Sequence, residues 1–407
     1  MRRLHIAIFT ESGNGHVYPV LPLCSELVRR GHSVTYATTD HYARRIHETG
    51  AEPVVFSGKP PSRELQEETQ KFFSLRPDDP ALWKISKAHQ TYRFAFIEEI
   101  LSQLQRFYQK RVPDLVLYDP PTIVGRILAR SFNCEVIQAS PYFARYKRFL
   151  YRENGEFRNP EVASEYSKAL DSFLSAHGVT TPDNLWHTEK LNIHFIPREF
   201  QYGEGPFDER FCFVGALLNR PFTPTWRNGC GGSPIVLISD LSGLHNEWVN
   251  ANTIYRLLVQ ALADSEYHCI LSIGDSIDPH SLGSLPENFE INQRGSHLEL
   301  LPHAALLVCH GGMLSTLEAL YNGVPVLAIP THLGAEEVAY RTAELGLGVQ
   351  LSRSTLTIEE LQETIERMLN DTLLQSRVKE MQRLFKQSGG TELAADRIEE
   401  FMGQYAG

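Results

Sequence analysis

A chain of 407 residues exceeds what one hydrophobic core usually organises, which predicts two domains. Hydrophobic residues make up 42% and charged residues 22%, ordinary globular values; a formal net charge of −10 without a basic block excludes a nucleic-acid surface and an anchor for anionic membranes. No apolar run reaches the ~18 residues of a spanning helix, the run behind Met1-Arg2-Arg3 is too short for a signal peptide, and the cysteines are scattered without a C-x-x-C, as expected of reduced thiols in a cytoplasmic protein.

In chain order, "LHIAIF" (4–9) reads as a buried strand, "VLPLCSELVRRG" (20–31) as a helix stopped by Gly31, and "SVTYAT" (33–38) and "EPVVF" (52–56) as further strands. The polar, aromatic stretch Lys59 to Gln109 predicts helical insertions above the sheet's C-terminal edge. "PDLVLYD" (113–119) and "EVIQAS" (135–140) are strands flanking the helix "TIVGRILARSF", and Tyr142 to Trp186 is a second helical excursion. Alternation of this kind implies a parallel sheet covered on both faces. "RPFTPTWRNGCGGSP" (220–234) has linker composition. The alternation then restarts with "IVLIS", "HCILSIG", "ALLVCH", "VPVLAIP" and "GVQL" as strands, and "ANTIYRLLVQALAD", "GMLSTLEALYNG" and "EEVAYRTAELG" as helices. The expectation is therefore α/β throughout: a domain over 1–219, a linker over 220–234, a second doubly wound domain over 235–385, and a C-terminal helix over 386–407 placed to pack back on the first domain. Two such domains would face each other across a cleft, a usual place for ligands.

"TESGNGHVYP" (10–19) follows the first strand. A dinucleotide fingerprint needs a third glycine where Tyr18 stands, and Asp40 near its acidic position is weak support. Pro19 suits the first turn of a helix, which leaves His16 at the sheet's ligand edge, where a neutral imidazole can take a proton from a hydroxyl. Asp119, ending "DLVLYD" on the same edge, is a candidate orienting acid; spacing alone equally allows a turn residue before Pro120 and Pro121.

"LLVCHGGMLSTLEALYNGVPVLAIP" (306–330) is the most specific stretch. A strand ends at His310, Gly311 and Gly312 permit close backbone approach, and Ser315 lies in the first turn of the following helix. Backbone N–H groups and the positive helix end make an anion site there, with His310 and Ser315 as added donors. Glu318 lies one turn along, where a ribose would be in reach.

These residues carry a resemblance. The chain is similar nearly end to end to GT-B glycosyltransferases of family one, in the bacterial macrolide and natural-product branch, through "GHVYP", "DLVLYD" followed by "GRILA", "HGGMLSTLEALYNGVPVLAIP", "RTAELGLGV" and "GGTELAADRIEEF". The resemblance implies inverting, metal-independent sugar transfer from a UDP- or TDP-sugar to a hydroxyl of a hydrophobic small molecule, with no cofactor beyond that co-substrate. It implies His16 as base, Asp119 as its orienting acid, His310, Gly311 and Gly312 at the diphosphate, Ser315 at a second phosphate contact and Glu318 on the ribose. Phe72, Phe94, Tyr142 and Phe143 are candidate acceptor-lining rings. Oligomeric state is open, a homodimer included.

The departures from the family pattern fall on the donor side. Ser239-Asp240-Leu241-Ser242-Gly243 stands where a Gly-Thr or Gly-Ser usually meets phosphate, leaving Ser242 as the phosphate candidate. Arg294 aligns with the tryptophan that stacks on the nucleobase, Leu314 replaces an asparagine, and Gly334-Ala335 replace the acid–glutamine pair that grips sugar hydroxyls. An altered donor follows, or else a GT-B protein with another activity, an accessory partner, or a sugar-nucleotide epimerase.

Overall fold

The computed structural model describes residues 2–60, 62–65, 67, 81–144, 160–181, 187–203, 207–218, 232–239, 241, 251–273, 277–292, 297–331 and 333–404. The chain divides into two compact units. Unit 1 comprises Met1–Arg220 together with Ser388–Gly407, and unit 2 comprises Pro221–Gln387.

Unit 1 carries strands β1 (His5–Phe9), β2 (Ser33–Thr38), β3 (Glu52–Val55), β4 (Leu115–Tyr118), β5 (Glu135–Ser140), β6 (Asn192–His194) and β7 (Phe211–Phe213). They form a parallel sheet in the order β3-β2-β1-β4-β5-β6-β7. The apolar runs that suggested strands are those buried on both faces, as in β4, where all of Leu115–Tyr118 is buried. The three-residue strands β6 and β7 were not expected; they are too short to show a period. Helices α1 (Asn14–Val17), α2 (Leu21–Arg29), α3 (Asp40–His47), α4 (Ala81–Tyr108), α5 (Ile123–Phe132) and α6 (Pro160–Ala176) connect the strands. α2 ends before Gly31, whose φ of +92° suits glycine. α4 and α6 occupy the two stretches expected to be helical excursions.

Unit 2 carries β8 (Ile235–Ser239), β9 (His268–Ser272), β10 (Phe289–Ile291), β11 (Ala304–Cys309), β12 (Val326–Ala328) and β13 (Gly348–Gln350), parallel in the order β10-β9-β8-β11-β12-β13. Its helices are α7 (Ala251–Leu262), α8 (His297–Leu300), α9 (Met313–Tyr321), α10 (Leu333–Glu344), α11 (Ile358–Asn370) and α12 (Thr372–Gln387). β10 was likewise not expected. Most of the linker stretch, 219–231, lies outside the described residues.

The last helix, α13 (Gly390–Gly403), belongs to unit 1. Its Ala394, Ala395, Ile398 and Phe401 are buried in the core that holds Leu23 and Leu27 of α2. Arg30, just past α2, donates to Glu26 (2.7 Å), Asp396 (2.6 Å) and Glu399 (2.7 Å). Hydrogen bonds from Arg29 and Arg30 hold the Glu26 carboxyl down at about 2.

Candidate active site

In an open parallel sheet, ligands collect at the C-terminal edge where strand order reverses. In unit 1 that point lies between β1 and β4, whose last paired residues are Phe9 and Tyr118. The chain leaving β1 turns through Glu11–Gly13, with Gly13 N–H donating to Glu11 O at 3.0 Å, and enters α1. His16 lies on that short helix. The chain leaving β4 begins with Asp119. Pairing of the two strands therefore brings together two side chains 103 positions apart: His16 Nδ1 is 2.6 Å from Asp119 Oδ2.

The surroundings give the two groups different parts. Asp119 is fully buried, while His16 keeps 22% of its side chain exposed, so only the histidine can meet a substrate. Thr122 donates its hydroxyl to Asp119 Oδ1, and the Glu11 N–H approaches Oδ2 at 3.4 Å. A carboxylate only accepts, so the proton between the pair belongs on Nδ1, and Nε2 carries a lone pair. Burial draws the imidazole's pKa down. The Asp119 charge, its hydrogen bond and the Glu11 charge outweigh burial, with Arg93 opposing them, and the net result lies above the ordinary histidine value. Arg93, from α4, donates to Glu11 Oε1 at 2.8 Å and to the Pro121 carbonyl, tying both loops to one guanidinium.

Of the rings expected to line an acceptor site, Tyr142 joins the pair: its hydroxyl is 3.2 Å from His16 Nε2. Phe143 has 2% exposure and packs against Phe200 and Tyr202, a core position closed to ligand. Phe94 stacks face to face on Phe173, with centroids 4.4 Å apart and planes 7° from parallel, so its ring is engaged in helix packing. Phe72 lies outside the described residues. Sequence reading missed Thr122, Glu11 and Arg93. Thr122, three residues after Asp119, has the spacing of a local hydroxyl-to-carboxylate turn and could have been found.

In unit 2 the reversal lies between β8 and β11. β11 ends at Cys309; His310, Gly311 and Gly312 follow, and Gly312 caps α9. Gly311 has φ +78°, and a Cβ there would come 3.1 Å from Ala328 Cβ and 3.2 Å from Ala339 Cβ. A Cβ on Gly312 would come 2.3 Å from His310 Nε2, so the imidazole lies across that glycine. Ser315 sits in the first turn of α9 and is 4% exposed; His310 is 8% exposed. The turn therefore presents a helix N-terminus flanked by an imidazole and a hydroxyl, an arrangement for an anion. Glu318, one turn further along α9, is fully buried. Gly334 is exposed in the first turn of α10, while Ala335 is fully buried with its carbonyl near Gly311. Ser242, Asp240 and Arg294 lie outside the described residues. Among the described residues no cluster of three or more His, Cys, Asp or Glu could hold a metal, and no helix is long and apolar enough to cross a membrane.

Two doubly wound parallel-sheet units, one with a histidine–aspartate pair at its switch point and one with a glycine turn and helix N-terminus at its own, are the parts of a GT-B fold. Residues 256–399 match the family described as erythromycin biosynthesis protein CIII-like, C-terminal domain. The chain is 37% identical over 409 residues to the NDP-glycosyltransferase YjiC of Bacillus licheniformis, covering 99% of this chain and 98% of that protein. It is 31% identical to the demethyllactenocin mycarosyltransferase of Streptomyces fradiae, covering 98% and 86%. The calicheamicin glycosyltransferase CalG4 superposes with a TM-score of 0.84 at 33% identity, with both chains fully covered. The chain belongs to the family-one GT-B glycosyltransferases, in the branch of macrolide and other natural-product enzymes.

Proposed function

We propose that this glycosyltransferase moves a sugar from a nucleoside diphosphate sugar to a hydroxyl of a natural-product-like acceptor with inversion at the anomeric carbon. His16 Nε2 takes the acceptor proton as the oxygen attacks that carbon, and the nucleoside diphosphate departs with the bonding electrons. Asp119 holds Nδ1–H and stabilises the imidazolium that forms. The charge gathering on the leaving diphosphate is met by the N-terminus of α9 with His310, Gly312 and Ser315. The observation that carries this reading is the 2.6 Å contact between His16 Nδ1 and a fully buried Asp119, which leaves Nε2 as the basic nitrogen.

His16→Ala tests it. Turnover should fall by about 10²–10⁴, the usual worth of a positioned general base, while affinity for UDP or TDP stays near that of the parent, because the anion turn belongs to the other unit. Full transferase activity in the variant would remove His16 from the mechanism.

The donor reading follows from Gly334 and Ala335. Gly334, exposed in the first turn of α10, offers no side-chain acceptor to a hexose, and Ala335 is buried, so donors with few hydroxyls lose least in the bound state. A deoxysugar carried on UDP or TDP is the donor class proposed. Similarity to an enzyme named for mycarosyl transfer is compatible with it.

A further inference from the structure

The hydroxyl of Tyr142 stands where a substrate hydroxyl would have to stand. Asp119 commits the His16 proton to Nδ1, so Nε2 has one lone pair and the Tyr142 hydroxyl, 3.2 Å away, is its donor. The two rings lie 5.0 Å apart at 49°. An sp² nitrogen with a single lone pair accepts one strong hydrogen bond. We propose that Tyr142 is an internal occupant of the base: it holds Nε2 until an acceptor arrives, and its phenol must withdraw for the acceptor hydroxyl to be deprotonated. This rests on the reading of His16 as base and makes Tyr142 a positioning residue rather than a catalytic one.

The backbone supports a side-chain movement rather than a loop movement. The Tyr142 N–H donates to Ser140 Oγ at 3.2 Å, and its carbonyl accepts from His194 Nδ1 at 3.1 Å. His194 is itself buried on β6, stacks on Phe213, and is held neutral by burial, its pKa drawn down to about 4. Both ends of the tyrosine are thereby pinned to strand termini, leaving the χ angles to move the hydroxyl. Gly15 gives the hydroxyl room: a Cβ there would come 3.0 Å from the Tyr142 hydroxyl oxygen.

Asp119 and Glu11 favour the imidazolium and Arg93 opposes it; the phenol, which donates to the neutral ring and accepts from the protonated one, can partner either form. Among the described residues, Glu11, Asp119, Arg93 and Tyr142 are the groups that face the imidazole from the β1 and β4 loops, α4 and the β5 loop. Removing the hydroxyl should free the Nε2 lone pair of the neutral ring.

The test uses diethyl pyrocarbonate, which acylates a neutral imidazole nitrogen bearing a free lone pair, on the full-length protein without substrates. Modification of His16 is followed by peptide mass mapping across pH in the parent, in Tyr142→Phe and in Gly15→Ala. Tyr142→Phe should carbethoxylate His16 about 3–10-fold faster at the high-pH plateau. Gly15→Ala keeps the phenol but crowds its hydroxyl, so it should raise the plateau rate by a smaller factor. Tyr142→Phe with the parent plateau rate overturns the proposal. Loss of turnover in His16→Ala together with that result leaves the base assignment standing and removes only Tyr142; turnover retained in His16→Ala, with His16 modification accelerated in Tyr142→Phe, does the reverse.

Discussion

Asp119→Asn separates the charge of the buried acid from its geometry. The carboxylate has two distinguishable oxygens: Oδ2 faces His16 Nδ1 and the Glu11 N–H, both donors, and Oδ1 faces the Thr122 hydroxyl. An asparagine placed here has one favourable orientation, with its carbonyl at the Oδ2 position. The amide NH₂ then meets the threonine oxygen, which rotates its own proton away and accepts. The Nδ1–H tautomer survives, Nε2 remains basic, and what disappears is the negative charge. A hydrogen bond to a charged group contributes about 1.5–3 kcal/mol against about 0.5–1.5 for a neutral one, and the imidazolium of the transition state also loses its ion pair. The expected cost in kcat is roughly 10–10²-fold, smaller than for His16→Ala. The pH profile supplies the sign. His16 acts as the neutral base, so kcat/KM rises with pH through a midpoint above the ordinary histidine value, where Asp119 has raised it; in the asparagine variant that limb moves to lower pH, because the cation has lost its partner. The assay is nucleotide release measured from pH 5 to 9 with a donor and acceptor that the parent turns over. A loss as large as that of His16→Ala would show that the tautomer had flipped and refute the orientation argued from Glu11 and Thr122. Unchanged kcat with an unchanged acid limb would remove Asp119 from the reaction.

Four further outcomes are expected. Gly312→Ala has an allowed backbone, φ −64°, but its Cβ would force His310 off the anion turn; affinity for UDP and TDP should drop about 10-fold or more by calorimetry, and an unchanged Kd would mean the imidazole does not meet phosphate. Phe401→Ala removes a buried ring where α13 meets α2 and should destabilise unit 1 by about 3–5 kcal/mol in denaturant unfolding; a change under about 1 kcal/mol would show that the helix adds little to that core. In a competition between a TDP-deoxysugar and UDP-glucose the parent should favour the deoxysugar, and Gly334→Asp should move the kcat/KM ratio toward glucose by about 1–3 kcal/mol; a parent that already prefers glucose contradicts the donor argument. The partner change Ala335→Gln is expected to overpack, since Ala335 is fully buried beside the Gly311 turn.

Long apolar runs such as "LHIAIF" and "IVLIS" announced their strands because parallel strands are buried on both faces. Three-residue strands such as Asn192–His194 carry no such pattern, and their pairing is decided by neighbours distant in sequence. His16 and Asp119 were each legible as strand-end polar residues; their contact depends on β1 lying beside β4, a property of sheet order that no local spacing encodes. Arg93 was invisible for the same reason, reaching Glu11 from 82 residues away. Phe143 was read as a ligand ring because an aromatic in a loop looks the same whether it turns inward or outward; packing on Phe200 and Tyr202 decided it. Tyr142, its neighbour, turned toward the histidine, and the difference lies in the anchoring of its backbone between Ser140 and His194.

The return of the final helix to unit 1 makes that unit discontinuous, with unit 2 inserted into it between Arg220 and Ser388. Order of synthesis and order of completion are then opposed. When the ribosome has made the first 220 residues, the layer beneath α2 still lacks Ala394, Ala395, Ile398 and Phe401, and Arg30 has yet to meet Asp396 and Glu399. Unit 2 is contiguous and has all its strands by Gln350, so it can close its sheet while unit 1 waits with an apolar face uncovered. The half of the enzyme that emerges first is the half finished last, and a nascent chain stalled before α13 exposes the surface that a chaperone or a protease would meet.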